Sequence, residues 1–190
     1  MKLYHGTKCR NITKFDFEHS RKEVDLGKGI YFTSDFEQAE FWSCHYGDIG
    51  AVYECDIDLS KFKILSYNPI DEDLIYILYL CRIGLEEIVP DSVSEFENAD
   101  IISCLMLKKI ERFLADAESF NEGIDTQEEF SEKIRFFNKK PEQLCIKSDF
   151  ALEEINNSIK KVYHTKKENG KIKIEKIDII GKDDERSDKK

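Results

Sequence analysis

Three observations predict an α+β fold with a mostly antiparallel sheet and peripheral helices. Ala51, Tyr53, Cys55, Ile57 and Leu59 alternate with Glu54, Asp56 and Asp58, as in a half-buried strand. Ser34-Asp35-Phe36-Glu37 and Thr126 with Glu129 read as capping boxes, each opening a helix. Strands and helices interleave without a repeating strand-helix-strand unit, which separates the chain from doubly wound parallel folds.

Taken in order, residues 2–5 read as a first strand and 8–28 as irregular chain anchored by Phe15 and Phe17. Ile30 to Thr33 reads as a second strand, entered through Gly27-Lys28-Gly29. The first capping box then predicts a helix to about Tyr46, ended by Gly47, with Phe36, Ala39, Trp42 and Cys44 inward. After the alternating strand, residues 71–83 show helical spacing, with Leu74, Ile75, Leu78 and Cys81 on one face. Ile101 to Leu107 is apolar without clear periodicity, so a strand and the start of a helix reaching Ala117 both remain open. A helix over 126–138 follows, and Pro141 stops any helix before it. Glu142 to Lys147 alternates as a strand, and Ser148 caps a helix to about Asn157. Lys160–Lys166 and Lys171–Ile179 flank Asn169-Gly170, a β-hairpin signal. The domain organisation expected is therefore a main domain over 1–157, a lysine-rich hairpin over 158–181, and a charged tail over 182–190 that reads as disordered.

The chain has 190 residues, 41% hydrophobic and 36% charged, with a formal net charge of -10. That charge argues against non-specific nucleic-acid binding by the molecule as a whole. No segment reaches the ~18 apolar residues of a membrane span, and the N-terminus lacks a signal-peptide pattern. Six cysteines are scattered without a CxxC pair, which predicts reduced thiols, no zinc site and a cytoplasmic protein.

Three stretches carry chemistry: Leu3-Tyr4-His5-Gly6-Thr7; Asp25-Leu26-Gly27-Lys28-Gly29-Ile30-Tyr31; and Gln143 followed by Ser148-Asp149-Phe150-Ala151-Leu152. In order and spacing they resemble the motifs of the ADP-ribosyltransferase superfamily. The branch resembled is the diphtheria-toxin-like and poly(ADP-ribose)-polymerase-like one, with its H-Y-E pattern. The chain is closer still to an uncharacterised bacterial family with LYHG, DFGKGFY and a third-motif Gln. The resemblance covers roughly residues 1–155 and implies a split antiparallel sheet, NAD as substrate and mono-ADP-ribosyl transfer to a macromolecule, protein or nucleic acid. It also implies a toxin setting with an antitoxin partner, and no membrane.

Breaking the nicotinamide–ribose bond develops positive charge on the ribose. The site must therefore hold a flat ring, fix its amide and orient ribose hydroxyls. Carried over, His5 matches the ribose-binding histidine, and Gly6 the glycine whose backbone holds the carboxamide. Tyr31 matches a stacking tyrosine, and Trp42 falls where the polymerase-like enzymes carry their second stacking aromatic. Gln143 takes the third catalytic position beside His5 and Tyr31, and Thr7 and Ser34 complete the expected NAD contacts. Lys28, Asp35 and Tyr46 are candidates for the rim. Arg82 stands where the family tends to carry an arginine, with a structural role and a pyrophosphate role both open.

Departures narrow the expectation. Ala39 replaces a serine whose hydroxyl would bind the carboxamide, leaving Thr33 or Ser34 to supply that bond. Gln143, a neutral amide, stabilises a developing cation less than glutamate would, which disfavours polymer elongation. Neighbouring Glu142 points to the other face of the strand. Pro141, where arginine-modifying relatives place Glu or Gln, disfavours arginine as acceptor. The family's Ala-Asp-Asp run is absent after Asp100-Ile101-Ile102. The alternatives are a weak or inactive NAD- or ADP-ribose-binding module and an NAD glycohydrolase. His19, His45 and His164 receive no role. The lysine-rich hairpin reads as a solvated face, with contact to nucleic acid or an acidic partner as the alternative.

Overall fold

The computed structural model describes residues 1–67, 72–85, 94–106, 110–133 and 142–177. The elements run β1 (Lys2–Thr7), β2 (Ile30–Thr33), α1 (Phe36–Ser43), β3 (Ile49–Asp56), a short 3-10 turn (Leu59–Lys61), β4 (Ile64–Ser66) and α2 (Glu72–Arg82). They continue α3 (Ser94–Glu97), β5 (Ile101–Leu105), α4 (Ile110–Asn121), α5 (Gln127–Lys133), β6 (Glu142–Ile146), α6 (Asp149–Asn157), β7 (Ile159–Glu168) and β8 (Lys171–Ile177). The strands form one eight-stranded sheet in the order β4-β5-β6-β2-β1-β3-β7-β8. Among the described residues every pairing is antiparallel except β4 with β5.

Alternation along the strands divides the apolar side chains between the two faces. On one face Ile102, Cys104 and Cys145 pack with Leu26, Leu74, Leu78, Phe113 and Phe130. On the other, Leu3, Ile30, Phe32, Tyr53 and Ile146 pack with Phe15 from the irregular segment and Ile155 from α6. Helix α1 lies on the first face, above β1 and β3, and two glycines admit it. A Cβ at Gly6 would stand 1.9 Å from the carbonyl oxygen of Ala39, and one at Gly50 2.0 Å from that of Ser43.

Several expectations are corrected. β1 runs two residues further than the predicted 2–5, because all of Lys2–Thr7 pairs with β3. The cap of α1 is Asp35, not Ser34: its carboxylate accepts from the N–H groups of Glu37 (2.9 Å) and Gln38 (3.3 Å). The helix stops at Ser43 rather than Tyr46, where the Ser43 hydroxyl donates to the Glu40 carbonyl at 2.6 Å. A hydroxyl bonded to its own helix backbone competes with continuation of the ladder. β3 is buried on both faces, so Glu54, expected in solvent, is only 4% exposed. Tyr163 donates to its Oε2 at 2.8 Å, and Lys2 and Lys161 lie 3.1 and 3.2 Å from Oε1. Burial pushes this carboxyl up, but those donors outweigh burial and hold it below the usual carboxylate range.

β4 was not expected from the sequence. The open stretch after Asp100 resolves into strand β5, with helix α4 beginning at Ile110. Thr126 and Glu129 do form a reciprocal cap, with the Thr126 N–H donating to the carboxylate at 2.9 Å. The predicted extension of that helix to 138, and Pro141, lie outside the described residues, as do 178–190. Ser148 caps α6 as expected. The hairpin turns at Asn169 and Gly170, with φ of 52° and 76°. It is hydrogen-bonded into the sheet through seven registered pairs between β7 and β3. All six cysteines are thiols; five are buried and Cys9 is exposed.

Candidate functional site at the meeting of β1, β2 and β6

The registered pairing of β1 with β2 is confined to Tyr4 and Thr33. One residue on, His5 Nδ1 lies 2.7 Å from the Tyr31 carbonyl oxygen, so a side chain takes the place of the next ladder bond. A carbonyl oxygen only accepts, so Nδ1 carries the proton and Nε2 of the neutral ring is an acceptor. The ring packs edge-on against Phe15 and tilted against Phe32, with centroids 5.0 and 5.4 Å away. Burial holds the His5 pKa below the usual imidazole range, against the opposing pull of the Tyr31 carbonyl.

Tyr31 turns its ring to the opposite face, toward the core of Leu26 and Cys145. Its hydroxyl accepts from the Leu26 N–H at 2.9 Å and donates to the Gly27 carbonyl at 2.8 Å. The phenol thus closes the turn that precedes its own strand. Burial raises its pKa well above the ordinary tyrosine value.

Gln143 is opposite Thr33 on β2 and Cys104 on β5. Its Nε2 donates to Asp25 Oδ2 at 2.8 Å and lies 3.5 Å from Cys104 Sγ. The other oxygen of Asp25 is held by Arg82, through Nε at 2.8 Å and through the terminal Nη2. Among the described residues every buried side-chain nitrogen and oxygen has a partner. His5 Nε2 and Gln143 Oε1 have no partner among them, His5 being half-buried and Gln143 5% exposed. By strand alternation His5 lies with Phe15 and Phe32 on one face of the sheet, and Gln143 lies with Cys104 on the other, the face that also carries Tyr31.

The remaining predicted residues are placed as follows. Gly6 lies beneath α1. The Thr7 hydroxyl accepts from the Cys9 N–H at 3.2 Å. Trp42, half-buried on α1, packs against Phe41, His45 and Tyr46, and its ring does not touch that of Tyr31. Of the two suggested carboxamide donors, the Thr33 hydroxyl is 2.7 Å from Gln38 Oε1, and Ser34 is half-buried before the helix. Among rim candidates, Tyr46 stacks under Arg21, whose guanidinium carbon is 4.2 Å from the ring centre. Asp35 is engaged as the helix cap. Glu142 accepts from the Ser103 hydroxyl.

In the sequence Asp25 stands only as part of a motif, with nothing to mark a role of its own. Its partners lie 57 and 118 residues away, and no local pattern registers a contact of that range. Among the described residues, no group of three or more His, Cys, Asp or Glu is placed to hold a metal ion. No helix there is long and apolar enough to cross a membrane.

Fold and site together define an α+β protein with a mixed eight-stranded sheet and a polar site where β1, β2 and β6 meet. The chain belongs to the family described as "Protein of unknown function (DUF3990)", whose model matches residues 1–157. That match ends with α6, before the hairpin. No curated protein matches the chain, and no solved structure does.

Proposed function

We propose that the protein is an NAD-dependent mono-ADP-ribosyltransferase acting on a macromolecular acceptor, built on an ADP-ribosyltransferase-like split sheet. The observation that carries this reading is Gln143, whose Nε2 is tied to Asp25 so that Oε1 is left to accept, on the same face of the sheet as Tyr31. Ribose hydroxyls are donors, and a fixed acceptor orients one without adding a charge. Gly6 supplies backbone polar groups at the strand end, and Tyr31 and Trp42 supply aromatic faces for the nicotinamide.

In the reaction the ribose C1′–nitrogen bond breaks. Nicotinamide leaves neutral with the bonding pair, and the acceptor nucleophile forms the new bond to C1′ while its proton passes to solvent. The chain's contribution is orientation: a ribose hydroxyl held by Gln143, His5 at the parting of β1 and β2 as the second proposed ribose contact, and a ring fixed by Gly6 and the aromatics. Orientation of this kind supplies a large part of the rate in transfer reactions. The resemblance adds a toxin setting with an antitoxin partner, which belongs to this proposal.

The test is incubation of the purified protein with labelled NAD and host lysate, following nicotinamide release and label on protein and nucleic acid. His5→Ala and Tyr31→Ala, verified as folded by circular dichroism, are expected to abolish both. Unchanged turnover in both variants would overturn the assignment. Nicotinamide release with free ADP-ribose and no labelled macromolecule would make the protein a glycohydrolase.

A second reading is a binding module without transfer. It is favoured by the neutral Gln143, whose amide is tied to Asp25. It predicts ligand-induced stabilisation by NAD or ADP-ribose with no nicotinamide released.

A further inference from the structure

We propose that Asp25, held by Arg82, is a positioning residue that orients the Gln143 amide and requires an amide, not a carboxylate, at position 143. This rests on the reading of Gln143 as a ribose-facing group, but its structural core can be tested without NAD.

A glutamine can present either end of its amide to a site. Here the choice is made from below. Asp25 is 5% exposed and faces Gln143 with a carboxylate oxygen, which only accepts. The NH2 end must therefore turn toward Asp25, 2.8 Å from Oδ2, and Oε1 away from it. Arg82 fixes Asp25 in turn, spanning its Oδ1 and also donating to the Glu23 carbonyl at 3.3 Å. A chain of three side chains from α2 to β6 thus sets the polarity of the site. At Gln143 the site accepts a hydrogen bond and does not offer one, which suits a hydroxyl and rejects a ligand carboxylate or phosphate at that point.

The same geometry bears on the residue type. A glutamate at this position would bring a second carboxylate to hydrogen-bond distance of Asp25. Two carboxylates at that separation ionise together only at a cost, and the pair tends to share a proton. The surroundings offer limited relief. Arg82 is already engaged with Asp25, Tyr31 and Cys104 are neutral groups, and Cys145 lies beside Tyr31. Glu142 precedes Gln143 on the same strand, and Lys147 donates to the Leu26 and Lys28 carbonyls. The glutamine thus satisfies the carboxylate beneath it.

The experiment compares wild type, D25N, Q143E and the D25N/Q143E double variant in the full chain. The first measurement is the melting temperature at pH 5 and pH 8. A carboxyl pair that holds a proton in the folded state stabilises it at low pH and loses that advantage as pH rises. Q143E is therefore expected to fall below wild type by roughly 5 °C more at pH 8 than at pH 5. The double variant exchanges the two groups, so that the amide introduced by D25N can donate to the carboxylate introduced by Q143E, and it is expected to lose that pH dependence. A Q143E deficit equal at both pH values, or one that D25N leaves unchanged, would overturn the proposal. The second measurement is nicotinamide release at pH 8, where the double variant is expected to exceed Q143E at least tenfold. A double variant no faster than Q143E would remove the positioning role. A wild type that releases no nicotinamide would defeat the transferase reading alone, and the melting curves would still decide the pairing.

Discussion

At Gly27 the backbone takes a φ of +68°, a conformation that costs side-chain-bearing residues about 1 kcal/mol or more. Gly29, two residues on, is required for space. A Cβ there would lie 2.2 Å from Cys145 Sγ and 2.7 Å from the Ile146 carbonyl oxygen. The two glycines around Lys28 thus have different causes, one torsional and one steric, and together they deliver Tyr31 to the strand edge. His5 supplies the prediction at this scale. Its pKa is lowered in the fold, so the unfolded chain binds a proton that the native ring refuses. Its contribution to stability is therefore complete above about pH 6.5 and lost as pH falls through that value toward the folded pKa. His5→Gln, whose amide can still donate to the Tyr31 carbonyl, is expected to flatten that part of the acid limb. Melting curves between pH 7.5 and pH 5 check this, and an unchanged acid limb would remove His5 as its source.

Helix α1 shows what a local signal can and cannot say. The letters Ser34-Asp35-Phe36-Glu37 read as a capping box with Ser34 as the cap. The structure uses Asp35, because the Thr33 hydroxyl takes the Asp35 N–H at 3.1 Å and leaves its carboxylate aimed at the next two amides. Asp35→Ala is expected to cost about 1 kcal/mol, and Ser34→Ala much less, in urea titrations; equal losses would restore Ser34 as the cap. Elements held by local chemistry were legible: β2 between its predicted ends, α6 after Ser148, and the Asn169-Gly170 turn. β4 was not, because three residues carry no periodicity and its place is made by β5, distant in sequence. The same contrast holds at the site. His5, Tyr31 and Gln143 could be named from motifs, but the tie from Gln143 through Asp25 to Arg82 joins β6, the irregular segment and α2. Strand alternation also placed Glu54 in solvent, because it cannot foresee a neighbouring strand and helix covering the second face.

At the scale of the whole molecule the hairpin is joined to the domain by more than its position in the chain. β7 pairs with β3 from Ile49 to Cys55, the Thr165 hydroxyl is 2.7 Å from that of Ser43 on α1, and Arg10 donates to the Thr165 carbonyl at 2.7 Å. A chain cut after Asn157 would keep the residues matched by the family model and expose β3 as a long apolar edge. Such edges pair with other chains. The truncated protein is expected to aggregate or lose cooperative unfolding, which size-exclusion chromatography and thermal melts would show; a monomer melting like the full chain would make the hairpin dispensable. Glu54 adds a consequence of another kind. Its carboxylate gathers Lys2 from β1 and both Lys161 and Tyr163 from β7 on one face of the sheet. Sliding β7 by one position would turn Lys161 and Tyr163 to the opposite side, stranding a negative charge under cover with one donor in place of three. Mispaired alignments are thus penalised at a single atom group, and a segment rich in interchangeable lysines acquires one permitted alignment.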